Sequence, residues 1–129
     1  MRRIALTCVA LLPLLAAASC YSHHPTGGPY YYAKWISRDI PVQPAEPLSR
    51  VEAMSRPVFY EAFFDDHGRI VRFVEYAEGN ARSETTYSYR PDGSFEERNC
   101  GGGTLIVTVF AHGKEVSSNA VRGGCSIGR

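Results

Sequence analysis

Three glycine-containing turn signals, roughly 20 to 25 residues apart, constrain the fold of this chain most strongly. Each lies between two runs rich in β-branched and aromatic residues, and its glycine accepts the positive φ that short hairpin loops require. Three hairpins give six strands, and the aromatic segment 30–37 supplies a seventh. We therefore expect a mainly β protein, an antiparallel meander of about six to seven strands that forms a small barrel or sandwich. The signals are Asp65-Asp66-His67-Gly68, Pro91-Asp92-Gly93 and Ala111-His112-Gly113-Lys114.

One short helix is expected between the first strand and the hairpins. Leu48, Val51 and Met54 recur at helical spacing, which predicts a helix over about 46–55. Pro57 ends this helix, because proline cannot continue one. Three prolines before the helix favour an extended, polyproline-like connector, with a ligand for a partner as the alternative. These prolines are Pro41, Pro44 and Pro47.

The amino terminus has the pattern of an export signal. Arg2 and Arg3 precede a 15-residue apolar stretch over 4–18, which is shorter than the ~20 residues that a transmembrane helix needs. The stretch ends in small residues before Cys20 and resembles the bacterial lipoprotein box, in which the cysteine is acylated and becomes the first residue of the mature protein. The resemblance implies a signal peptide over 1–19 and lipid attachment at Cys20. Ordinary secretion and a retained anchor are the alternatives.

The lipoprotein resemblance also implies a location and a domain organisation. In such proteins an Asp after the acylated cysteine is an inner-membrane retention signal, and Tyr21 stands at that position here. The resemblance therefore implies an outer-membrane lipoprotein whose domain faces the periplasm. Residues 20–29 contain Gly, Pro and polar residues without periodicity and predict a flexible tether, which leaves 30–129 as a single β domain. The membrane is thus one expected partner.

Length and charge exclude several classes of protein. The 129 residues suffice for one small domain, and fourteen basic against thirteen acidic residues give a net charge of +1. Cleavage before Cys20 would remove 19 residues, including Arg2 and Arg3 but no acidic residue, and leave 110 residues with a side-chain charge of −1. This balance shows no excess of positive charge for binding nucleic acid. The single long apolar run excludes a polytopic membrane protein.

The four cysteines predict one disulfide. Cys8 lies within the signal and Cys20 is assigned to the lipid, which leaves Cys100 and Cys125 to pair in an oxidising compartment. A two-residue turn at His112-Gly113 would place these two cysteines directly opposite each other across the last hairpin. There they would occupy a non-hydrogen-bonded pair, where the side chains lie closest. Glycines at 101–103 and 123–124 could shift this register through bulges.

Two of the turn signals resemble a known repeat. The segment from Phe64 to Ile70 is similar to the core of a YD repeat, which reads aromatic, Asp, two residues, Gly, Arg, aliphatic, and 87–93 is a weaker second copy. The resemblance covers about 35 residues and implies local hairpin architecture. The segment 60–73 also resembles small uncharacterised bacterial β-proteins, a resemblance that names no activity. The positions that match the motif are Asp65, Gly68, Arg69, Asp92 and Gly93.

No combination of residues forms a catalytic or metal-binding motif. His23-His24 lie in the tether and form no closed site, while the histidines at 67 and 112 precede glycines in predicted turns. Consecutive carboxylates at 65–66 and 96–97 point different ways or satisfy turn backbone. The Cys-Gly-Gly-Gly run at 100–103 lacks the Lys-Ser/Thr of a phosphate loop. We therefore expect a non-enzymatic protein with no catalytic residues, no metal and no cofactor.

Aromatic residues are the remaining indication of function. In the predicted strand 58–64 both alternating sets contain aromatics, Phe59 and Phe63 in one and Tyr60 and Phe64 in the other. A barrel has one inward face. One set would therefore form an exposed binding surface unless the amino-terminal strand or the short helix covers it.

These observations predict a lipid-anchored binding module of the bacterial envelope, whose partner is a protein or a glycan. The alternative is an inhibitor of a periplasmic or envelope hydrolase that presents a loop such as 65–69 or 90–94. Lipoprotein inhibitors of lysozyme are similar in length, export, disulfide and small β-barrel. Their Ser-Gly loop followed closely by Tyr is absent from this sequence.

Overall fold

A computed structural model describes residues 24–36 and 38–127 of the chain. These residues form one eight-stranded antiparallel sheet and one short helix, α1, over Arg50–Met54. The strand order across the sheet is β2-β1-β3-β4-β5-β6-β7-β8. The strands are β1 Gly27–Ile36, β2 Gln43–Leu48, β3 Val58–Phe64, β4 Ile70–Ala77, β5 Asn80–Tyr89, β6 Phe95–Gly101, β7 Thr104–Ala111 and β8 Lys114–Arg122.

The mainly β, antiparallel class predicted from the sequence is confirmed, and the sheet is not closed into a barrel. The strand beyond the seven expected is β2, which includes Pro44 and Pro47 of the segment predicted to be a polyproline-like connector. Proline cannot donate to a ladder hydrogen bond, but β2 lies at the edge of the sheet and pairs only with β1. The segment is therefore an edge strand.

Two kinds of turn connect strands β3 to β8. The β3–β4 and β5–β6 turns are the same five-residue loop repeated 25 positions apart, in which Gly68 and Gly93 take positive φ. The other three are two-residue turns in which both residues have positive φ, the conformation that matches the twist of paired strands. Of these, the turn at His112-Gly113 was predicted, and those at Glu78-Gly79 and Gly102-Gly103 were not.

The Cys100–Cys125 disulfide predicted from the sequence is present. The predicted geometry is wrong, because the chain reverses at Gly102-Gly103 and Cys100 lies on β6, opposite Leu105 of β7. The tail after β8 instead crosses β7 to reach Cys100, and its path begins where the Gly123 N–H donates to the Gly103 carbonyl oxygen at 2.7 Å. The disulfide therefore joins β6 to a segment two strands away.

A helix forms within the predicted range 46–55, but it is shorter, since 46–48 belong to β2, and it forms for a reason other than its apolar spacing. Val51 and Met54 are 80% and 54% exposed, and only Ala53 is buried. The helix begins at a capping box: the Ser49 hydroxyl accepts the Glu52 N–H at 3.1 Å, and the Glu52 carboxylate accepts the Ser49 N–H at 2.7 Å. Within the described residues, no helix has the length and apolar character that a membrane crossing requires.

One face of the sheet, here called the inner face, carries the main core. Ala62, Ile70, Phe73 and Tyr87 are buried on it, and Val42 packs on them from the connection between β1 and β2. We call this connection, residues 38–42, the arm. The arm crosses the inner face as far as β6 and β7, because its residues line cavities together with residues of both strands.

The opposite, outer face combines a small aromatic cluster with charged pairs. Phe59 is buried and stacks on Tyr76 with ring centroids 4.9 Å apart. Arg72 of β4 donates to Glu84 of β5 at 2.9 Å. Helix α1 lies against β1, β2 and β3. A cleft lies on the inner face, between the sheet and the arm.

Removing the disulfide should lower stability without changing the fold. The bond closes a loop of 25 residues, for which chain entropy gives about 3.5 kcal/mol. For the variant with both Cys100→Ala and Cys125→Ala, we expect the free energy of unfolding, measured by urea titration, to fall by most of this amount. Its circular dichroism spectrum should be unchanged. Wild-type protein kept reduced is the control and should match the variant. Equal unfolding midpoints for oxidised wild type and variant would contradict the prediction.

Candidate functional site

A cleft of about 220 Å³ lies between the inner face and the arm. Its floor comes from strands β4, β5 and β6, and its roof from the arm and the end of β1. The polar residues of the floor are Glu75, Ser83, Thr85, Glu97 and Asn99. This cleft is the candidate functional site.

Strand register explains why the floor is polar. Near the 90–94 turn the opposed residues Tyr89, Phe95 and Phe110 of β5, β6 and β7 are all aromatic. Side chains of one face recur every second residue, so the next positions on the inner face are Tyr87 opposite Glu97, then Thr85 opposite Asn99. The inner face thus changes from aromatic to polar along the strands.

The floor is held by hydrogen bonds within and above it. Asn99 Nδ2 donates to Thr85 Oγ1 at 2.8 Å. The Tyr87 hydroxyl oxygen accepts the Val42 N–H at 3.1 Å and so attaches the arm to the floor. Burial raises the pKa of the Tyr87 phenol well above its usual range, and the nearby Glu97 carboxylate raises it further. Tyr87 is therefore a neutral hydroxyl.

The roof contains the only tryptophan of the chain. Trp35 is 41% exposed and meets Phe73 edge to face, with ring centroids 6.4 Å apart. Ile40, 52% exposed, also lines the cleft. A large aromatic ring at the rim of a polar cleft gives a ligand both an apolar surface and hydrogen-bonding partners.

The cleft is acidic. Asp39, Glu75 and Glu97 line it, and no Lys, Arg or His of the described residues does. In that same part of the chain none of the three carboxylates takes part in a salt bridge, whereas Glu84 and Glu96 of neighbouring positions pair with arginines. The cleft therefore concentrates negative charge on its floor and on the arm.

The motif residues of the β3–β4 turn have a structural role. Asp65 Oδ1 accepts the N–H groups of His67 and Arg69, each at 2.9 Å, and Oδ2 accepts Arg69 Nε at 2.7 Å. Burial alone would raise the pKa of Asp65, but these hydrogen bonds together lower it. A Cβ atom at Gly68 would lie 2.6 Å from the His24 Cβ, so this glycine also allows the amino-terminal segment to approach.

The β5–β6 turn shares the backbone shape and differs in chemistry. Asp92 Oδ1 accepts the N–H of Ser94 at 2.9 Å and its hydroxyl at 2.6 Å, and these bonds lower the pKa of Asp92. Asp92 stands at the third position of its loop, whereas Asp65 stands at the first, where this loop has Arg90. A Cβ at Gly93 would meet open space. The structure places none of the five motif residues in the cleft.

The aromatic sets of strand 58–64 do not form an exposed surface. Phe59 is buried, with Tyr31 of β1 edge to face at 6.1 Å. Tyr60, on the other face, stacks on Phe73 at 5.3 Å. The amino-terminal strand therefore contributes to the cover, which was the alternative stated from the sequence. The rim aromatic is Trp35, which sequence reasoning missed as a site residue although it is the single tryptophan beside a Pro- and Asp-containing loop.

The remaining predicted positions give no second site. Cys20, the predicted lipid attachment point, and His23 lie outside the described residues. Cys100 is buried in its disulfide. Among the described residues no three His, Cys, Asp or Glu side chains are grouped so that they could hold a metal ion.

Comparison with known proteins identifies no relative: no family model, curated protein or solved structure matches the chain.

Replacing Asp65 should destabilise the protein in a pH-dependent way. Asp65→Ala removes three hydrogen bonds to a carboxylate, for which we expect a loss of about 1–2 kcal/mol at neutral pH. Because the folded-state pKa of Asp65 is lowered, its contribution is present above its unfolded value of about 3.9 and is lost as the pH falls through the folded-state pKa. Urea unfolding measured from pH 7 to pH 2 checks both statements.

The neighbouring acid provides the control. No hydrogen bond to the Asp66 carboxylate is found in the described part of the chain, so Asp66→Ala should leave stability within about 0.5 kcal/mol of wild type. Equal losses in the two variants, or an Asp65→Ala loss that is as large at pH 2 as at pH 7, would show that the side chain acts other than through these bonds.

Proposed function

We propose that this protein is a non-enzymatic, lipid-anchored binding module of the bacterial envelope, with the cleft beneath the arm as its ligand site. The signal peptide over 1–19, the acylated Cys20 and the location in the outer membrane facing the periplasm are parts of this proposal. The disulfide is compatible with an oxidising compartment. The observation that carries the proposal is the cleft with its partly exposed tryptophan.

The cleft supports binding because stability alone would favour a different lining. Folding favours apolar residues on a covered sheet face, yet Glu75, Glu97 and Asn99 occupy inner-face positions beside aromatic ones. Trp35 remains 41% exposed at the rim, although its ring could bury apolar area elsewhere. Convergent polar groups with an aromatic wall are typical of small-ligand sites.

The proposed anchor would also orient the domain. Only three residues separate Cys20 from His24, which packs at Gly68 in the β3–β4 turn. Four Cα–Cα steps span at most ~14 Å, so a lipid at Cys20 would hold this turn close to the membrane. The polar part of the inner face lies away from that turn, at the opposite end of the strands. The cleft would then face away from the bilayer.

The inhibitor alternative stays a prediction that no observation favours over binding in the cleft. An inhibitory loop presents free groups to its target enzyme. In the loops at 65–69 and 90–94 the Asp65 carboxylate is bonded to Arg69 and the Asp92 carboxylate to Ser94. These groups support the turns themselves.

Lipid attachment can be tested with a matched pair of cysteine variants. Cys20→Ala should abolish the acylated mass and move the protein from the membrane fraction to the soluble fraction of the envelope. Cys8→Ala lies within the proposed signal peptide and should leave both mass and membrane association unchanged. Intact-mass spectrometry and fractionation of the expressing bacterium provide the measurements. A Cys20→Ala product that keeps its mass and its membrane association would refute the anchor.

Ligand binding can be tested by NMR on the mature protein in a non-ionic detergent. We expect at least one compound of a panel of small saccharides, amines, amino acids and carboxylates to shift the amide resonances of Ser83, Thr85 and Asn99. The amides of Ser117 and Ser118 on the distant strand β8 are the control and should not move. A panel that leaves the cleft resonances unchanged, or shifts only other regions, would count against the cleft as the ligand site.

A further inference from the structure

We propose that the cleft beneath the arm binds a small organic cation, namely an ammonium group carried on a compact apolar body. This inference rests on the proposed function and specifies its ligand. It follows from three features of the same cavity: its charge, its aromatic rim and its size.

The charge of the lining selects the sign of the ligand. Asp39, Glu75 and Glu97 contribute three carboxylates, while no basic side chain of the described residues lines the cleft. In a partly enclosed space such charges are less screened than on an open surface. An anionic ligand would be repelled, and a cation would find partners that no arginine or lysine of the described chain occupies.

The apolar part of the lining selects an organic cation over a bare ion. Trp35 at the rim can attract a cation through its ring, the strongest aromatic partner for this interaction. Ile40 and Val42 of the arm add apolar contacts suited to methylene groups. The three carboxylates lie around this apolar wall and are not grouped as the ligands of a metal ion among the described residues.

The volume limits the size of the ligand. About 220 Å³ is below the range of roughly 300–1,000 Å³ typical of pockets for drug-sized compounds. It corresponds to about seven water molecules at roughly 30 Å³ each, enough for a chain of a few carbon atoms with its charged end. Larger compounds would enter only with part of their structure.

A series of five-carbon compounds tests the inference directly. Cadaverine, 1,5-pentanediol and glutarate share the same chain length and differ in charge, being a dication, a neutral diol and a dianion. Because the chain contains a single tryptophan, the fluorescence of Trp35 in the full mature protein reports on the cleft alone. We expect saturable binding of cadaverine that weakens with added salt, at least tenfold weaker binding of the diol, and none of glutarate.

Charge-neutralising variants assign the effect to the cleft. Glu97→Gln and Glu75→Gln should each weaken cadaverine binding by about three- to tenfold, and Glu115→Gln, on the exposed strand β8, should have no effect. Thermal unfolding of each variant shows whether it is folded, and two independent cleft variants keep the test valid if one is not.

The outcomes separate this inference from the proposed function. Equal binding of cadaverine and pentanediol, preference for glutarate, or a response to calcium chloride alone would each overturn the organic-cation inference. If a neutral saccharide of the NMR panel shifts the cleft resonances while cadaverine does not bind, the proposed function stands and the cation inference fails. If neither binds, both fail.

Discussion

The contact between the arm and Tyr87 determines the shape of this protein. An open sheet that leaves one face uncovered would expose its aromatic residues to water, and here a connection of the chain's own first hairpin covers that face. Val42 is buried among the core residues, and its N–H reaches the Tyr87 hydroxyl at 3.1 Å. Because Tyr87 is itself buried, an unpaired hydroxyl or N–H at this point would be costly. The arm therefore stays where it divides the inner face into a filled part and a cleft.

The sheet from β3 to β8 consists of local hairpins, and one long-range bond attaches the tail of the chain to it. Strands β3 to β8 are joined by turns of two to five residues, so each pairing forms between neighbours in sequence. The Cys100–Cys125 disulfide is the exception, since it passes over β7 and attaches the tail to β6. The stability of the carboxy-terminal edge thus depends on a covalent bond more than on burial, in keeping with a strand β8 that is exposed throughout.

The sequence predicted those features that short-range chemistry determines. Glycines in 65–68, 91–93 and 111–114, accompanied by Asp in the first two segments, identified three hairpins because the backbone conformation of these turns favours such residues. The number of cysteines predicted the correct disulfide. Its geometry was predicted wrongly, because the chain reverses at Gly102-Gly103, where the sequence indicated only possible bulges. Strand β2 was not predicted because proline argues against a strand in the interior of a sheet, whereas an edge strand tolerates it.

The cleft could not be predicted because it depends on a long-range crossing. No local pattern indicates that residues 38–42 pass over β5 and β6. Trp35 was accordingly counted among the strand-forming aromatics instead of among the site residues.

The inner face changes from aromatic to polar residues along the same strands. Within β5 and β6, the aromatic pair Tyr89–Phe95 and the polar pair Thr85–Asn99 are only four residues apart and point to the same side. The core cluster that includes Val42 of the arm packs against the first pair, whereas the cleft lies between the arm and the second pair. A stretch selected only for folding would continue the aromatic pattern, because each further apolar pair would add burial. Polar and acidic residues interrupt the pattern where a cleft lies beneath the arm, and the coincidence of cleft, charge and tryptophan is the reason we propose binding there.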